Sequence, residues 1–137
     1  LPQVPRRQWI AVTAAAASLA WAIGMTPSAL GTWTEEHAAI VIAGMVVAAP
    51  VLLNSIGVAQ WLVLRRHVQG AGGWVPANAI GWLAGLPAVF VAMMLVPDDA
   101  PVAVRAAAGV AGAVTMGAIV AAITGRTLVR IVRRNRA

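Results

Sequence analysis

Charge is sorted by sign along this chain, and that sorting constrains its fold more than any other feature. All four acids, Glu35, Glu36, Asp98 and Asp99, lie in two short breaks between apolar stretches. Nine of the ten arginines (Arg6, Arg7, Arg65, Arg66, Arg126, Arg130, Arg133, Arg134 and Arg136) occupy the other three polar segments, and Arg105 alone stands beside the acids. Bacterial proteins that thread a bilayer keep arginine on the cytoplasmic side. The pattern predicts four crossings of a bacterial plasma membrane, with both termini and the Arg65-Arg66 connection in the cytoplasm and both acidic connections outside.

Composition agrees, since 61% hydrophobic residues, 10% charged residues and a mean hydropathy of +0.83 exceed what a soluble core can bury. With 137 residues the chain is expected to be one domain, with little mass outside the helices for a catalytic or substrate-binding module. A net charge of +6 and a pI near 12.0 would ordinarily point to nucleic acid. Arginines placed where helices leave the membrane explain the charge through topology, so no nucleic-acid partner is expected. There is no Cys, which excludes disulfides and thiolate metal sites. The chain opens on Leu1, so a fragment, a processed form and an incomplete sequence all stay open.

The expected spans are residues 9–25, 38–64, 74–96 and 102–125, followed by a basic C-terminal extension, 126–137. Pro50 and Pro87 fall inside the second and third, where each removes a backbone donor and favours a bend, whereas Pro76 sits harmlessly in a first turn. Thr34 and Asp99 are expected N-caps, and Arg105 is expected to pair with Asp98 or Asp99. The second and fourth spans begin beside acids and end in arginine pairs, as helix dipoles favour.

Ala20-Trp21-Ala22-Ile23-Gly24 is similar to Gly81-Trp82-Leu83-Ala84-Gly85, and the stretch 57–66 to the stretch 125–134. The fold class that follows is all-α: an integral membrane four-helix bundle of two tandem transmembrane hairpins, related as a parallel repeat. Small residues recur every fourth position at Gly109, Ala113, Gly117, Ala121 and Gly125, and more briefly at Gly81 and Gly85. Such ridges let helix backbones approach, either within the bundle or against a partner subunit.

Apart from Arg105, in the first turn of the fourth span, nothing ionisable lies inside a span, where proton movement or intramembrane catalysis normally leaves a charged group. His37 and His67 are expected at opposite ends of the second span, too far apart to share a metal. No nucleophile, base and orienting group occur together, and no glycine loop has a phosphate-cradling pattern, so no enzyme and no cofactor are expected. Uncharged polar residues remain: Asn54, Gln60, Asn78 and Thr115 are candidates to line a polar path, and the amides are expected to bond across helices or to carbonyls freed by Pro50. Trp9, Trp33, Trp61 and Trp74 read as interfacial anchors, and Trp21 and Trp82 as core. Arg126, Arg130, Arg133 and Arg134 share one face of the extension and suit lipid headgroups.

The segments Gly57-Val-Ala-Gln60-Trp61-Leu-Val-Leu-Arg65-Arg66, Ala79-Ile-Gly81-Trp82-Leu-Ala-Gly85 and Gly117-Ala-Ile-Val-Ala-Ala-Ile-Thr124-Gly125 resemble those of an uncharacterised bacterial family of small multi-pass membrane proteins. The likeness covers the last three spans and implies fold rather than activity. Arg126 and Arg130 depart from it, standing where an apolar continuation is usual. The reading is a non-catalytic accessory or scaffold subunit in the lipid bilayer, packing against another membrane protein or a second copy. The alternative is a passive channel or carrier for a small neutral or hydrophobic solute.

Overall fold

The computed structural model describes residues 4–135, so the last two residues of the basic extension lie outside it. Six α-helices follow one another: α1 (Arg6–Gly24), α2 (Thr26–Leu30), α3 (Thr32–Glu36), α4 (Ala38–Leu64), α5 (Trp74–Met94) and α6 (Val102–Arg134). A 3-10 turn, Ala71–Gly73, leads into α5, and there is no strand among the described residues.

Three helical segments are long and apolar enough to cross a membrane: Ala38–Leu64, Ala71–Met94 and Val102–Arg134. The expectation of four is corrected to three. The shortfall is in α1, whose 19 residues begin Arg6-Arg7-Gln8 and then rely on alanine, which contributes little hydropathy. At 1.5 Å per residue α4 is about 40 Å long and α6 about 50 Å. The basic extension is therefore not a separate element, since α6 runs unbroken through Gly125 to Arg134. Both α4 and α5 continue through their internal prolines, Pro50 and Pro87, and α5 stops at Met94, two residues before the expected end.

The connections correct the capping expectations. Gly31 adopts φ 55°, a conformation that strains any side chain, and splits the link between α1 and α4 into two short helices. Thr34 lies within the second of them and donates to the Pro27 carbonyl at 2.7 Å, clasping the two together instead of capping. Pro101, not Asp99, precedes α6, and no side chain caps that end. The contact made by the Arg105 Nε–H is to the Ala100 carbonyl at 3.2 Å, a backbone acceptor in place of either aspartate.

Helix α1 lies along α4, α4 meets α5, and α5 and α6 share the most extensive contact. Burial is concentrated at one end. Leu64, Val68, Ala71, Trp74 and Ile131 form the core, with Val4, Trp9, Trp61 and Leu128 packed against it. That cluster draws together the start of α1, the end of α4, the start of α5 and the end of α6, each of which carries or adjoins arginines except α5. No residue of α4 before Ile56 is buried, and none of α5 after Gly85. Val47, Phe90, Met94 and Leu95 lie on the surface instead. So much exposed aliphatic area suits a solvent of acyl chains, in which apolar side chains need no burial.

Glycines mark where helices touch. A Cβ on Gly57 would stand 3.0 Å from Asn78 Cβ, and one on Gly85 would stand 3.0 Å from Met116 Cγ and 3.1 Å from its carbonyl oxygen. Gly81 faces Val120, so both expected packing glycines of α5 lie in the interface with α6. On α6 itself the tightest contact is at Gly112, set against Val89 and Ala92, and of the ridge read from sequence Gly109 faces Met93 at 3.8 Å. Ala113, Gly117 and Ala121 are exposed, Gly109 and Gly125 half-buried, and neither Gly117 nor Gly125 has any atom within 4 Å of a notional Cβ.

Candidate functional site

Where the two hairpins α1–α4 and α5–α6 meet, three helices contribute uncharged polar side chains to one cluster centred on Gln60. An amide in an apolar interior must find partners, because neither lipid nor aliphatic side chains can hydrogen-bond to it. Gln60 Nε2 donates to Thr13 Oγ1 at 3.0 Å, and the Thr13 hydroxyl in turn donates to the Trp9 carbonyl at 2.8 Å. Gln60 Oε1 accepts twice, from Trp74 Nε1 at 2.9 Å and from Asn78 Nδ2 at 3.2 Å. Trp9 and Trp74 meet edge to face with ring centroids 5.7 Å apart. Gln60 and Asn78 are 7% and 3% exposed, and the bonds Gln60 Oε1 accepts are buried, whereas those of Thr13 are part-buried.

Two atoms remain unpaired. Asn78 Oδ1, an acceptor, and Trp82 Nε1, a donor, are buried without a protein partner, four residues apart on α5. Turning the Asn78 amide over would set its oxygen against Gln60 Oε1, so the orphaned acceptor follows from the cluster itself. The site contains no ionisable group and offers only neutral hydrogen-bonding chemistry.

Of the four residues expected to line a polar path, Gln60 and Asn78 are brought together and the other two are not. Asn54 Nδ2 donates to the Pro50 carbonyl at 2.8 Å, on its own helix. Thr115 is exposed on α6 and donates to the Ala111 carbonyl at 2.9 Å. Trp74, read as an interfacial anchor, is 6% exposed and belongs to the cluster, while Trp21, read as core, is 72% exposed. The four-residue spacing of Trp74 and Asn78 is the sequence signal that joins them on one face.

A second polar feature closes the arginine end. Asn135 accepts from the Gln69 amide at 2.9 Å and donates to the Gln69 carbonyl at 3.0 Å, fastening α6 to the turn after α4. Nothing in the sequence patterns singled out this residue. Arg126, Arg130, Arg133 and Arg134 are all exposed, while Leu128 and Ile131 of the same turns face the core. His37 and His67 flank opposite ends of α4. His37 stacks on Trp33 at 4.4 Å.

No family model matches this chain, and neither a curated protein nor a solved structure matches it. Its geometry therefore carries the functional argument.

Proposed function

We propose that this protein is a non-catalytic accessory or scaffold subunit of a bacterial plasma membrane, docking through the outer face of α6 against another membrane protein or a second copy. The observation that carries the reading is the mismatch between the face of α6 that meets α5 and its ridge of small residues. Gly112, with Met116 and Val120, serves the contact with α5. Ala113, Gly117 and Ala121 stand about 100° further round the helix and are exposed. A face of small residues lets a second helix backbone approach closely, and such packing drives helix association in lipid.

In this reading α1, alanine-rich and short of a span's hydropathy, packs against the arginine end of the spanning helices, and that end faces the cytoplasm. Support comes from the Thr13–Gln60 bond and the Trp9–Trp74 contact, which tie α1 to α4 and to the start of α5. Arg126, Arg130, Arg133 and Arg134 then lie at the cytoplasmic headgroups.

Extraction into lipid nanodiscs followed by native mass spectrometry tests the proposal. The wild-type chain is expected to retain a companion or a second copy, and Gly117→Ile/Ala121→Ile is expected to lose it at least tenfold with the monomer's melting temperature unchanged. A lone wild-type monomer under every mild condition would overturn it.

The unpaired Asn78 Oδ1 and Trp82 Nε1 favour one second reading, a passive path for a small neutral solute. Proteoliposomes separate the two. Solute leakage abolished by Asn78→Leu or Asn54→Leu is the transport outcome, and liposomes that stay tight with wild-type protein leave the scaffold reading alone.

A further inference from the structure

Beside the turn from α4 to α5 lies an open surface recess of about 570 Å³ at the arginine end, lined by Trp61, Arg65, Arg66, His67, Gln69 and Asn135 among others. We propose that this recess binds the phosphate headgroup of an anionic glycerophospholipid, an assignment that rests on the membrane reading above and adds a specific ligand site to it.

Three observations carry it. The first is uncompensated charge. Every acid of the chain lies in the two breaks at the other end of the helices, and among the described residues no acceptor engages the guanidinium of Arg65 or Arg66. Adjacent guanidinium groups with free N–H donors match phosphate oxygens in charge and in geometry.

The second is preorganisation. Arg65 is held over the Trp61 ring, with its guanidinium carbon 4.8 Å from the ring centroid. The floor beneath is fixed by the pair of hydrogen bonds between Asn135 and Gln69, and by Leu64, Val68 and Ala71, which are buried in the core. Arg126, Arg130, Arg133 and Arg134, exposed like Arg65 and Arg66, do not line this recess.

The third is the apolar surface next to it. Leu62, Val58 and Val51 are exposed along one ridge of α4 leading away from the recess towards the middle of the helix. A ligand with a phosphate in the recess and acyl chains along this ridge satisfies both surfaces, whereas a soluble anion uses only the first.

The test uses the full chain purified in neutral detergent, with dioleoyl phosphatidylglycerol and dioleoyl phosphatidylcholine as probes, read by native mass spectrometry and thermal melting. Wild type is expected to retain the anionic lipid at least tenfold over the zwitterionic one. Arg65→Gln/Arg66→Gln is expected to lower that retention at least tenfold. Arg6→Gln/Arg7→Gln, which removes equal charge from the same end but outside the recess, is expected to lower it less than threefold. Equal losses in the two double variants would overturn the site in favour of diffuse attraction.

Inorganic phosphate at matched concentration is expected neither to displace the lipid nor to raise the melting temperature; if it does both, the recess takes a soluble anion and the lipid assignment fails. Should the Arg65/Arg66 variant lose cooperative melting, wild type still decides. A saturable rise in melting temperature with phosphatidylglycerol alone supports the site, and an equal rise with phosphatidylcholine overturns it. An alkaline wash that strips the chain from membranes would instead sink the membrane reading, independently of lipid choice.

Discussion

Replacing Gln60 with leucine is expected to lower the unfolding free energy of the bundle by about 2–4 kcal/mol. The substitution removes one acceptor shared by Trp74 Nε1 and Asn78 Nδ2 and the donor to Thr13. Interhelical hydrogen bonds in bilayers average about 0.6 kcal/mol, so three account for roughly 2 kcal/mol. The upper figure arises because Trp74 and Asn78 stay buried with unmet donors, each costing about 1–3 kcal/mol when no water reaches it. Thr13→Val removes only the outermost link and is expected to cost about 1 kcal/mol. Unfolding in mixed micelles, followed by tryptophan fluorescence and circular dichroism, measures both. If the two variants lose the same small amount, Gln60 is not the hub that joins the hairpins.

Gly112→Ala is expected to cost about 2–3 kcal/mol, and Gly117→Ala nothing. The added methyl at 112 would stand 2.9 Å from Val89 Cα and 3.0 Å from Ala92 Cβ. Neither atom can swing aside as the end of a long side chain could, so α5 and α6 must separate along their shared face. At 117 the same methyl meets nothing within 4 Å. The change there instead recovers the helix propensity that glycine lacks, a gain of up to about 1 kcal/mol. The same unfolding assay compares them, and matched losses would mean that the inner face of α6 has been misassigned.

The contrast between residues 112 and 117 also explains what the sequence left unreadable. Periodicity locates small residues on a helix, but in a membrane protein both the buried face and the lipid face are apolar, so hydrophobic pattern does not choose between them. The ridge from Gly109 to Gly125 was therefore as plausible as the one through Gly112. Trp74 was hidden for a related reason, since a tryptophan near a helix end serves equally as an anchor at the interface or as a buried donor. Its pairing with Gln60 depends on how α4 and α5 cross, which neither segment encodes alone.

Charge, by contrast, was legible. The limits of α4 follow from His37 on one side and Arg65-Arg66 on the other, and the start of α6 from the Asp98–Pro101 break. The first span was over-read because arginines before it and a turn after it frame an alanine-rich stretch as convincingly as a leucine-rich one. Within the site, Gln60 and Asn78 were identifiable as amides needing partners. Asn54 and Thr115 looked alike on that criterion, yet each met its need from a carbonyl one turn earlier on its own helix.

The clamp between Asn135 and Gln69 joins positions 66 residues apart. Translation runs from the N-terminus, so every other helix has already left the ribosome before Asn135 is made. Fastening of the basic end therefore waits for α6 to be made. Until then the backbone amide and carbonyl of Gln69 lack the side chain that pairs with both.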